Sequence, residues 1–111
     1  MLKSSTTTKS LISGMRPIHP GEMLRHEFLE PLGLSATALA RALGMPPNRI
    51  ISIVNGDRGI TAETAMLLEA YFKVSAEFWL NLQRAYELRL ASRDKKLAAR
   101  IRKVQSHKAA A

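Results

Sequence analysis

The 111-residue sequence contains no cysteine, so neither a disulfide framework nor a thiolate metal site can form, which agrees with a reducing compartment. It also lacks any apolar run approaching the roughly 20 residues needed to cross a bilayer. The N-terminal stretch MLKSSTTTKSLISG is rich in Ser, Thr and Lys and has no apolar core of a secretory signal. A soluble, cytoplasmic protein with no membrane partner is expected. No segment of useful length alternates polar and apolar residues with period two, and no internal repeat occurs, so a sheet is not expected. His19, His26 and His107 do not fall at ligand spacing, and the acids of residues 20–88 are scattered rather than paired. A Gly-rich phosphate loop after a strand and a nucleophile elbow are both missing. No enzyme activity, metal or cofactor is expected.

What is present is a 46% hydrophobic chain, long enough for one domain and too short for two comfortable ones. Its formal net charge of +8 is unevenly spread. Residues 1–19 hold Lys3, Lys9 and Arg16 with no acid, a net +3, and residues 89–111 hold eight basic residues against Asp94 alone, a net +7. The middle, 20–88, carries six basic and eight acidic residues, a net −2. Bulk charge therefore cannot explain nucleic-acid binding by the middle; the direction in which a few arginines point must do so.

Five helices can be read there, giving an all-α domain. HPGEMLRHEFLEPLG places Leu24 and Phe28 at i, i+4, with Glu22 at the favourable N-terminal end and Pro31 and Gly33 as terminators. SATALARALG offers Ser35 as N-cap, Leu39 and Leu43 as an apolar stripe and Gly44 as a left-handed stop. In PPNRIISIVNGDRGIT, Pro46 and Pro47 start a short helix, Ile50, Ile53 and Val54 make its apolar face, and NGDRG ends it. A fourth helix starts at Thr61 and turns Ala65, Leu68 and Phe72 inward. A fifth starts at Ser75 with Phe78, Leu82 and Tyr86 along one stripe and Trp79 beside it. Phe78, Leu82 and Trp79 read as core, while Tyr86, Leu90 and Leu97 are candidates for a dimer seam. Residues 1–15 and 109–111 read as disordered, and the basic segment 93–111 as helical or disordered. Its apolar members Leu97, Ile101 and Val104 are thin, so it either extends the fifth helix or forms when a partner covers it.

The third helix is far shorter than the roughly 12–15 residues that an isolated helix needs in water. Joined to the second by a tight turn at Gly44, it makes a helix-turn-helix, clamped by Ile50, Ile53 and Val54 and free to enter a major groove on its other face. Pro47, Asn48, Arg49, Ile51 and Ser52 then fall on the base-reading face: Asn suits adenine, Arg suits guanine, and exposed Ile51 suits a thymine methyl. Phosphate contacts are expected from Ser35, Ala36 and Thr37 at the helix N-terminus before it and from Asn55 and Arg58 after it. Asn48 and Arg49 would otherwise be solvated surface residues, and Ile51 would pack on a neighbouring helix or a dimer mate.

HPGE, PPNRI, NGDRGIT and EFWLNLQ, in register over about residues 16–92, are similar to the HigA/VapI-type antitoxins of the phage-repressor-like (XRE/Cro) helix-turn-helix family. The resemblance implies a lambda-repressor-like domain at 16–92 and a homodimer that binds a palindromic double-stranded operator. It also implies neutralisation of a HigB-like mRNA-cleaving toxin and repression of the protein's own operon. Ile51 and Ser52 depart from the small polar and charged residues common there, so base preference is not carried over. The ends, 1–15 and 93–111, lie outside the resemblance, and Met15 is an alternative first residue. Two other readings stand beside it: a stand-alone helix-turn-helix repressor without a toxin, and a protein-binding module that has lost DNA binding. For the basic tail the readings are a solvated or frayed helix, an arm on the DNA backbone, and a surface for an acidic partner.

Overall fold

The helix boundaries follow the capping chemistry of the chain. A computed structural model describes residues 16–107, and among these it has six helices and no strand. Helix α1 comprises Pro20–Met23, a π-helical stretch Leu24–Leu29 and a last turn Glu30–Leu32; α2 is Ala36–Leu43, α3 Pro47–Val54, α4 Ala62–Phe72, α5 Ala76–Ser92 and α6 Lys95–Lys103. Ser35, Thr61 and Ser75 cap α2, α4 and α5, each side-chain oxygen accepting from a backbone N–H three residues on: Ala38 at 3.0 Å, Thr64 at 3.3 Å and Phe78 at 3.1 Å. Gly33 and Gly44 stop α1 and α2 in the left-handed region, with φ of 62° and 69°.

Three sequence expectations need correction. Pro31 does not end α1; the helix runs through it to Leu32. A proline ring collides with the carbonyl four residues back, and the turn immediately before Pro31 is widened, with the Glu30 N–H bonded to the Arg25 carbonyl. Pro46 is not helical but caps α3 in extended backbone, leaving Pro47 as the first helical residue, where no N–H is missed. The basic tail is helical but does not continue α5. Asp94 accepts from the N–H groups of Lys96 (2.9 Å) and Leu97 (3.1 Å), which starts α6 as a separate sixth helix. The expected disorder at 1–15 and 109–111 lies outside the described residues.

Leu24, Leu39, Ile50, Ile53, Ala65, Leu68 and Trp79 are fully buried. Trp79 is the centre of the core, with the Phe28 ring 4.9 Å and the Phe78 ring 5.1 Å away. The stripe expected on α5 is thus shifted by one residue: Trp79 points straight in, and Phe78, Leu82 and Tyr86 flank it half-buried. Eight-residue α3 is held by Ile50 and Ile53, whose complete burial contributes about 1.5–3 kcal/mol each. That is enough to fix a helix too short to form alone.

Candidate nucleic-acid interface

Helices α2 and α3 pack through Leu39, Ala40, Ile50 and Ile53, all buried. The turn between them is closed by the Met45 N–H on the Ala40 carbonyl at 2.9 Å. With one side of α3 locked, Pro47 and Asn48 are exposed, and Arg49, Ile51 and Ser52 are half-buried at the margin. Ile51 is therefore more sheltered than its place in the sequence suggests. Asn55, exposed, is the C-cap of α3, and Arg58 follows in an exposed loop. At the start of α2 the Ser35 hydroxyl is engaged with Ala38, while the N–H groups of Ala36 and Thr37 face outward from the first turn without an intrahelical acceptor.

The electrostatics of this face come from what the arginines lack. Arg16 donates to Glu22 at 2.7 and 2.9 Å, and Arg25 lies 3.4 Å from Glu30. These carboxylates are drawn below their usual range by side-chain hydrogen bonds, Glu22 chiefly by Arg16 and Glu30 chiefly by His26. The guanidinium groups of Arg49 and Arg58 have no acid partner among the described residues. A segment with net charge −2 thus still offers unneutralised cations on the helix-turn-helix side.

The loop carrying Arg58 is held from behind by His19 and Gln83, to which sequence reasoning gave no such role. Gly56 adopts φ of 83°, and the N–H groups of Gly56 and Asp57 bond to the carbonyls of Ile53 (3.0 Å) and Ser52 (2.8 Å). Beneath it sits His19, only 6% exposed. Its Nδ1 accepts from the Gly21 N–H at 2.8 Å, its ring engages the Arg58 backbone, and its edge meets the Tyr86 ring 4.9 Å away. Burial pushes the His19 pKa down, against the opposing pull of Glu22, the Arg58 backbone and Asp57. On the other side, Gln83 Oε1 accepts from the Ile60 N–H at 2.8 Å, and a Cβ on Gly59 would lie 2.8 Å from the Gln83 amide. HPGE, NGDRGIT and EFWLNLQ, far apart in sequence, converge here. Their joint presence was the available signal.

Of the seam candidates, Tyr86 is half-buried and packs on His19 within the same chain, Leu97 is half-buried, and Leu90 is 46% exposed next to Leu88 at 64%. Among the described residues no group of three His, Asp or Glu side chains is arranged to hold a metal.

Two short helices around a tight turn, the second clamped on one face and open on the other, define a helix-turn-helix protein. The helix-turn-helix family model matches residues 26–79. Virulence-associated protein I of Dichelobacter nodosus is 57% identical over 81 residues, covering 73% of this chain and 75% of that protein. The structure of an addiction module antidote protein of the HigA family from Coxiella burnetii matches with a TM-score of 0.76 at 46% identity, over 84% of this chain and all of that one. Antitoxin GraA in complex with its operator matches with a TM-score of 0.77 at 41% identity, over 96% and 98%. This chain belongs to the HigA family of helix-turn-helix antitoxins.

Proposed function

We propose that the chain is the antitoxin of a toxin–antitoxin pair and represses its own operon by placing α3 in the major groove of a palindromic operator. The observation that carries the DNA-binding half is the state of α3: immobilised by Ile50 and Ile53, and open at Pro47, Asn48, Arg49, Ile51 and Ser52, with Arg49 and Arg58 free of acid partners among the described residues. Asn48 and Arg49 read bases, Ile51 and Ser52 tune the fit, and Ser35, Ala36, Thr37, Asn55 and Arg58 hold the flanking phosphates. GraA, similar over nearly the whole chain, was solved on its operator, which supports this reading. A homodimer is needed to present two α3 helices about one DNA turn, roughly 34 Å, apart. Leu90, exposed and one turn beyond half-buried Tyr86 on the C-terminal half of α5, offers it an apolar contact.

The toxin half rests on family membership. Its test is co-expression with the adjacent reading frame, scored by growth and co-purification. Growth arrest by the neighbour, relieved by this chain together with co-elution, supports the antitoxin. A harmless neighbour, or the absence of a complex, leaves a stand-alone helix-turn-helix repressor.

A further inference from the structure

We infer that α6 is a second DNA-binding element, a cationic arm that grips the phosphate backbone beside the operator; this rests on the DNA-binding reading above. Around the helix, Leu97 and Ile101 fall on one side and Lys95, Lys96, Arg100, Arg102 and Lys103 on the opposite half. Leu97, Ala98 and Ala99 are half-buried, whereas these five cations are exposed and none pairs with an acid among the described residues. The one acid of residues 89–111, Asp94, is committed to the helix cap. Lys96, Arg100 and Lys103, at i, i+4, i+7, make one row.

In a chain read as a DNA binder, duplex DNA is the polyanion that the cations of α6 meet. Helix α5 touches the back of the Arg58 loop twice, at Gln83 through Ile60 and at Tyr86 through His19. From Tyr86 the chain needs only about 12 Å of helix to reach Asp94. The cations therefore follow directly on the helix that backs the Arg58 loop, and duplex DNA, with one charge per roughly 1.7 Å of axis, is the polyanion they complement. Any surface helix keeps its polar residues on one half; what sets α6 apart is that all five of its charged residues are cations with no balancing acid in the helix.

The test is a triple variant, K96Q/R100Q/K103Q, which preserves helix-forming residues, the Asp94 cap and the apolar side. Binding of the full-length protein and of the variant to a random-sequence duplex and to the protein's own promoter is followed across a salt series. If the three side chains each neutralise a phosphate, the slope of log K against log salt becomes shallower by about 2.7 per chain. Affinity at physiological salt falls on the order of a hundredfold for each chain bound, equally on both duplexes. An unchanged slope and affinity, with circular dichroism showing α6 intact, overturns the arm while leaving the helix-turn-helix reading standing. Failure of the unmodified protein to bind either duplex overturns both.

Discussion

Gly21→Ala separates the packing described here from simple helix propensity, because the two demand opposite signs. Gly21 lies in the first turn of α1, where alanine would ordinarily stabilise by about 0.5–1 kcal/mol. In this fold a Cβ on residue 21 would stand 1.8 Å from the Ile53 carbonyl oxygen and 2.8 Å from its carbon, with His19 Nδ1 at 3.0 Å. Both leading atoms are backbone at the end of α3, so no rotamer change relieves the overlap. The helices must part by more than an ångström, pulling Ile53 from the core and disturbing the His19 bond to the Gly21 N–H. Overpacking of this kind costs about 1–3 kcal/mol and occasionally more. With a rigid backbone obstacle the upper end applies, leaving a net loss of about 2 kcal/mol. For a domain of this size that lowers Tm by roughly 8–16 °C. Thermal and urea unfolding followed by circular dichroism measure it directly. A variant that is unchanged or more stable refutes the close approach of α1 to α3, and with it the account of why HPGE accompanies this recognition helix.

Stability depends on pH through His19. Its folded pKa lies below the unfolded value near 6.5, so unfolding takes up a proton between the two. Its contribution is complete above that value and is lost as pH falls through it toward the folded pKa; Glu22, held low by Arg16, adds its own loss only below about 4.5. Urea midpoints between about pH 7.5 and 5.5 should fall for the native chain and flatten in His19→Asn. Gln83→Ala leaves the Ile60 N–H without its acceptor in a half-buried position, which should cost about 1–3 kcal/mol and loosen the Arg58 loop, measurable by hydrogen exchange at Ile60. Asp94→Ala should remove about 1 kcal/mol from α6 alone, lowering the helical signal without moving the main unfolding transition.

The parts of this molecule legible in the sequence are those fixed by short-range chemistry. Ser35, Thr61 and Ser75 cap as a Ser or Thr before an apolar-periodic run should, and Gly44 stops α2 through its own backbone freedom. The clamp of Ile50 and Ile53 followed from spacing. What escaped depends on partners distant in the chain. Neither the burial of His19 nor the hold of Gln83 on Ile60 has a local signature; one links residues 19 and 58, the other 60 and 83. The widened turn of α1 is a compromise between Pro31 and continued helix, which periodicity alone reads as an end. Asp94 was visible but was counted as the lone acid of a basic tail rather than as the cap that makes α6 a separate helix.

The central claim, that α3 reads DNA bases through Arg49, is tested most directly by comparing the native chain with Arg49→Ala. Fluorescence anisotropy at one fixed salt concentration would use the protein's own promoter and a random-sequence duplex. The expected result is a loss of about 1–3 kcal/mol on the promoter with little change on random DNA. An equal loss on both duplexes, or none on either, would contradict base readout by Arg49.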